Sequence, residues 1–100
     1  MKVSILTDNI ANKRGLLAEH GLSMYIENNG ISILFDTGQS SVYCHNASSM
    51  GIDLKKADCI ILSHGHYDHC GGLIHYPQTE KFPEIFAHPK AFYKRYRKAN

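Results

Sequence analysis

Asp58-Cys59-Ile60-Ile61-Leu62-Ser63-His64-Gly65-His66-Tyr67-Asp68-His69-Cys70-Gly71-Gly72 is the stretch on which the reading of this chain turns. Its first part is apolar and β-branched, which predicts a short buried strand. Its second part packs three imidazoles and one carboxylate into residues 64–69, and Gly71-Gly72 directly after them allow a tight turn. The donor groups thus sit in a loop at a strand's end, where a rigid scaffold presents chemistry.

The spacing has physical content. In a nearly extended backbone, side chains two apart point the same way, so His64 and His66 can grip one metal ion while Gly65 relieves crowding between them. Asp68 and His69 follow as the chain turns and can serve a second ion about 3.5–4 Å from the first. Imidazole with carboxylate suits Zn, Mn or Fe better than Ca or Mg. A single His-x-His would be weak, because a histidine in a loop is usually polar surface; the ordered set of four, launched from a strand, carries the reading.

The pattern His64-x-His66-x-Asp68-His69 followed by Gly71-Gly72 resembles the signature of the metallo-β-lactamase superfamily of metal-dependent hydrolases. Further stretches are similar to its dihydropterin–ribofuranosylaminobenzene phosphate synthase-like branch: Ile5-Leu6-Thr7-Asp8-Asn9, Gly15 to Ser23, Ile33 to Ser40, and Phe86-Ala87-His88-Pro89. The resemblance covers nearly the whole chain. It implies an α/β (α+β) fold: the N-terminal half of a metallo-β-lactamase-type αββα sandwich, with residues 1–100 as one partial domain built on a mixed sheet with flanking helices. It also implies His64, His66, Asp68 and His69 as metal ligands, two divalent ions with Zn foremost, and a metal-activated hydroxide that Asp68, the catalytic residue, helps to orient. In the resembling family the remaining ligands come from sequence beyond the equivalent of Asn100. The expectation is therefore that this stretch alone binds metal weakly and turns over little.

Length and composition fit a folded domain: 100 residues, 43% hydrophobic and 20% charged. The formal charge of +2 does not argue for nucleic acid, although seven histidines would add positive charge in mild acid. Cys44, Cys59 and Cys70 are odd in number and lack paired spacing, which favours reduced thiols and a cytoplasmic setting. The segment from Met1 to Leu6 has the character of neither a signal peptide nor a membrane span. Cys70 could in principle ligate Zn as a thiolate, but in the resembling family a small residue there packs instead.

In chain order, alternation predicts strands near residues 2–7, 21–27 and 31–36. Val3, Ile5 and Thr7 share one face of the first. Asn28-Asn29-Gly30 predicts a hairpin between the second and third. Glu19 and His20 precede the second strand, as solvated loop residues or at the rim of the site. Asp36-Thr37-Gly38 ends the third strand beside the donor loop. A metal-bound histidine commonly donates its other N–H to a carboxylate, and in the resembling family this aspartate does so; Asp36 is expected to support a loop imidazole, His64 for choice, with a turn or capping aspartate as the alternative.

Ser40 or Ser41 is expected to cap a helix near 41–50, with Val42, Ala47 and Met50 near helical spacing and His45 on its surface. A second helix is expected near 70–76, a strand near 84–87 and a basic, aromatic helix near 89–98. His88, closing the last strand, is a candidate rim residue; a turn histidine is equally compatible.

The function expected is a metal-dependent hydrolase acting on a small-molecule substrate. Rivals are half of a split enzyme completed by a C-terminal partner, a homodimer in which a second copy covers the exposed sheet face, and a non-catalytic metal- or RNA-binding module using the terminal basic helix.

Overall fold

The structure, a computed structural model, describes residues 1–8, 16–19, 21–63 and 70–87. Among these residues five strands form one mixed sheet in sequence order: β1 (Lys2–Thr7), β2 (Ser23–Asn28), β3 (Ile31–Phe35), β4 (Cys59–Leu62) and β5 (Glu84–Ala87). The first three pair antiparallel and the last two add in parallel. Helix α1 (Val42–Ser49) lies in the connection between β3 and β4, as a parallel neighbour requires. The strands agree with the sequence reading to within two residues at each end. The basic helix expected near 89–98 lies outside the described residues.

The β2–β3 hairpin follows from its turn. Asn29 and Gly30 adopt φ of 51° and 81°, the two left-handed positions that a two-residue hairpin turn needs. In β1, by contrast, one expectation fails. The ladder pairs Ile5 with Met24 but Thr7 with Ser23, so Leu6 is an extra residue and the register shifts. The bulge turns Thr7 away from the Val3–Ile5 face, and it is wholly buried.

One face of the sheet carries Ser4, Leu6, Ser23, Tyr25, Leu34, Ile60 and Leu62, all buried. Tyr43 and Ala47 of α1 join Leu54, Cys70 and Tyr76 in the core over this face. The packing stripe of α1 is therefore Tyr43, Asn46 and Ala47, at i, i+3 and i+4. Val42 and Met50, expected to lie on it, are half-buried and 37% exposed. His45 is exposed, as read. Neither serine caps α1 through its side chain: Ser41 is at the N-cap without a side-chain bond, and the Ser40 hydroxyl is engaged by Glu19.

The opposite face is the more apolar one. Val3, Ile5, Met24, Ile26, Ile33, Phe35, Ile61 and Phe86 line it in register across the five strands. Yet Val3, Ile5 and Phe86 remain 47%, 44% and 50% exposed. A contiguous apolar sheet face of this kind is what a second layer normally covers.

The helix expected near 70–76 is a 3₁₀ turn, Gly71–His75. Gly72 donates its N–H to the Gly38 carbonyl at 2.8 Å and its carbonyl accepts from the Tyr43 hydroxyl at 2.9 Å, so its backbone is committed outside any α-helical ladder. Pro77 then prevents extension. No disulfide joins the three cysteines, and Cys70 packs in the core. Among the described residues no helix is long and apolar enough to cross a membrane.

Burial pushes the Tyr76 phenol up to about 12, and Tyr43 and Tyr25 move in the same direction for the same reason. An unfolded tyrosine releases its proton near 10. Between about pH 10 and 12 the unfolded state therefore holds fewer protons than the folded one, and stability falls as pH rises. Urea midpoints measured across this window should decline steadily. In Tyr76→Phe, which starts less stable because the Leu54 carbonyl loses its donor, the decline should be shallower.

Candidate metal centre

The donor loop leaves the sheet at the carboxyl end of β4, beside the carboxyl end of β3. Asp36 closes β3 there. Its N–H still laces to the Ile61 carbonyl at 2.8 Å, and its φ of 57° lies in the left-handed region that Asp and Asn tolerate better than most residues. The conformation turns the carboxylate inward: Asp36 is 0% exposed. One oxygen accepts from the Ser63 N–H at 2.8 Å and the other from the Ser63 hydroxyl at 2.6 Å. A buried carboxylate is thus clamped to the residue immediately before His64.

The segment after Asp36 is pinned as firmly. The Asp36 carbonyl accepts from the Ser23 hydroxyl at 2.7 Å, and the Gly38 N–H donates to the Leu22 carbonyl at 2.8 Å. The Gly38 carbonyl receives the Gly72 N–H. Gly72 is needed for closeness rather than for a turn: a Cβ there would stand 2.5 Å from the carbonyl oxygens of both Thr37 and Ser40, and 2.9 Å from Tyr43 Cε1. The two ends of the donor loop, Ser63 and Gly72, are therefore fixed to one short turn, residues 36–40.

His64, His66, Asp68, His69, His20 and His88 lie outside the described residues. Among the described residues no three His, Cys, Asp or Glu side chains converge as a metal site would require. Of the candidate residues, the structure describes Asp36: it is buried and directed at the loop's first anchor, and it does not point to solvent.

Two residues matter more than their sequence suggested. Glu19, read as rim or solvated, accepts from the Ser40 hydroxyl and, at 3.3 Å, from the Gln39 N–H. Asn46 is buried. Its amide nitrogen donates to the carbonyls of Leu6 and Leu17 at 2.8 and 2.9 Å, and its oxygen accepts from the Leu17 N–H at 2.8 Å. An Asn inside a helix, where its propensity is poor, on the same stripe as Tyr43 and Ala47, was the signal for it.

Residues 17–100 match the family model described as the metallo-beta-lactamase superfamily. The chain belongs to this superfamily. An uncharacterized protein of Methanocaldococcus jannaschii is 40% identical over 95 residues, covering 94% of this chain and 37% of that protein. A second protein of the same organism, named 7,8-dihydropterin-6-methyl-4-(beta-D-ribofuranosyl)-aminobenzene-5'-phosphate synthase, is 44% identical over 81 residues, 75% of this chain and 28% of its own length. A crystal structure described as a metal-dependent hydrolase of the beta-lactamase superfamily superposes with a TM-score of 0.63 at 41% identity, over 73% of this chain and 26% of that one. The chain thus spans roughly a third of the length of the curated relatives it matches. The mixed sheet with its flanking helix is thus a metallo-beta-lactamase-type architecture.

Proposed function

We propose that this chain carries the metal-binding part of a hydrolase of small molecules, with His64, His66, Asp68 and His69 as ligands of two divalent ions, Zn before Mn or Fe. The observation that carries the proposal is the buried Asp36 carboxylate held against Ser63 at the root of the donor loop. Three imidazoles and a carboxylate are donors such ions take, and a neighbouring carboxylate is what their imidazoles need. Bound there, the ions supply a nucleophile from water near neutral pH and polarise the scissile group.

The chain's own residues do the rest. His64 and His66 would hold one ion, and Asp68 and His69 the other. Asp68 also accepts a hydrogen bond from the attacking water and so orients it. Asp36 takes the outer N–H of a loop imidazole, His64 being our assignment. His20 and His88 border the substrate. Pterin precursors, phosphodiesters, thioesters and lactams form the assay panel; the pterin arm is favoured by the name of the synthase relative.

Two ligands per ion fall short of the three or four that a tight site uses. Completion by residues beyond these hundred is therefore part of the proposal, whether from the same longer protein, a separate polypeptide or a second copy. The half-exposed apolar face, with Val3, Ile5 and Phe86 open, supports a second layer in the complete assembly. Calorimetry with Zn on the hundred-residue chain should give micromolar or weaker binding and no hydrolysis above background. Each tenfold gain on adding the completing half is worth about 1.4 kcal/mol. Nanomolar binding of two ions by a monomer of proven mass, abolished by His66→Ala, would overturn the need for completion.

A further inference from the structure

Residues 36–40 hold both ends of the donor loop, yet their backbone is unusual: Asp36 and Gly38 have φ of 57° and 66°. A turn with two left-handed positions persists only when its surroundings hold it. Ser23, the first residue of β2, and Leu22 just before it hold the turn, and Glu19 holds it from a separate segment. That segment is tied to the end of β1 by the Glu19 N–H, which donates to the Asp8 carbonyl at 3.0 Å. One carboxylate oxygen takes the Ser40 hydroxyl, the other takes the Gln39 N–H at 3.3 Å. That second oxygen also lies 3.0 Å from where a Cβ on Gly38 would sit, so the carboxylate presses against the turn's middle residue.

We infer that Glu19 is a positioning residue for the donor loop: it clasps the 36–40 turn, and through Asp36–Ser63 and Gly38–Gly72 it fixes where the loop leaves and where it returns. Glutamine can keep both contacts in number, its oxygen taking the Gln39 N–H and its amide nitrogen donating to a rotated Ser40 hydroxyl, but it replaces charge-assisted bonds with neutral ones. Charge-assisted bonds of this kind are about twice as strong as neutral ones.

The test is Glu19→Gln, with Asp58→Asn as the comparison variant. Asp58 accepts the Ser32 N–H at 2.7 Å at the opposite end of β3 and β4. In metal-free protein, amide exchange at Ser63 and Gly72 should accelerate at least about tenfold in Glu19→Gln while Ser32 stays within about twofold, because the opening is local. Unchanged exchange at Ser63 and Gly72, or uniform acceleration that includes Ser32, overturns the inference. A second arm rests on the proposed function: titration with Co(II), followed by its visible absorption, should show about tenfold weaker uptake in Glu19→Gln and no change in Asp58→Asn. If the unaltered protein takes up no Co(II), the hydrolase reading is what fails, and the exchange result still decides the role of Glu19.

Discussion

Gly72→Ala is expected to destabilise the chain by about 3 kcal/mol, the upper range for overpacking a rigid site. A methyl group there meets two backbone carbonyl oxygens at 2.5 Å and the Tyr43 ring at 2.9 Å. The ring can shift, but the carbonyls belong to a turn held by backbone bonds at Asp36, Gly38 and Gln39. Relief must therefore come from moving the Gly71–His75 turn away, which breaks Gly72 N–H to Gly38 and Tyr43 hydroxyl to Gly72 together. In a domain of this size the melting temperature should fall by more than about 10 °C. Gly51→Ala gives the contrast: its φ is 73° but nothing lies within 4 Å, so only the left-handed strain, about 1–2 kcal/mol, is at stake. Equal losses in the two variants would mean that the close approach at Gly72 relaxes easily and is not what the position is for.

The legible part of this fold was what is local. Alternation located the strands, Asn29-Gly30 located the hairpin, and the apolar run of β4 located the launch of the donor loop. Alternation cannot say which of two faces is covered. Met24, Ile26, Ile33 and Phe35 look like the core, whereas the helix-covered face holds Ser4, Ser23 and Tyr25. Which side α1 occupies is set by the handedness of the β3–α1–β4 crossover, a property of pairing rather than of composition. The bulge at Leu6 was hidden for a related reason: the Leu6 carbonyl accepts from Asn46, forty residues away. At the site, the position of Asp36 was readable and its partner Ser63 was not, since a serine between Leu62 and His64 has no periodic signature. Glu19 was visible only as a polar residue before a strand. Its acceptors' worth depends on Gln39 and Ser40 arriving from the far side of the hairpin.

Asp36→Asn should separate holding the loop from tuning its metal. Asparagine tolerates the left-handed φ, and its amide oxygen can still take the Ser63 N–H. The serine hydroxyl can rotate and accept from the amide nitrogen, so both contacts survive in number. The stability loss should stay near about 1 kcal/mol, the difference between a charged and a neutral acceptor. Asp36→Ala, which takes away the acceptor of both the part-buried Ser63 N–H and the Ser63 hydroxyl and puts alanine at φ 57°, should lose about 3 kcal/mol. Metal affinity should respond differently. If Asp36 also takes the outer N–H of a loop imidazole, the amide no longer favours the tautomer or the basicity that the ligand requires, and affinity should drop about 10–100-fold in Asp36→Asn despite its nearly intact fold. Competition titration with a Zn chelator, read beside the melting temperature of each metal-free variant, checks both halves. Full metal affinity in a well-folded Asp36→Asn protein would confine Asp36 to anchoring Ser63, and the support of the ligand imidazole would then have to come from another group.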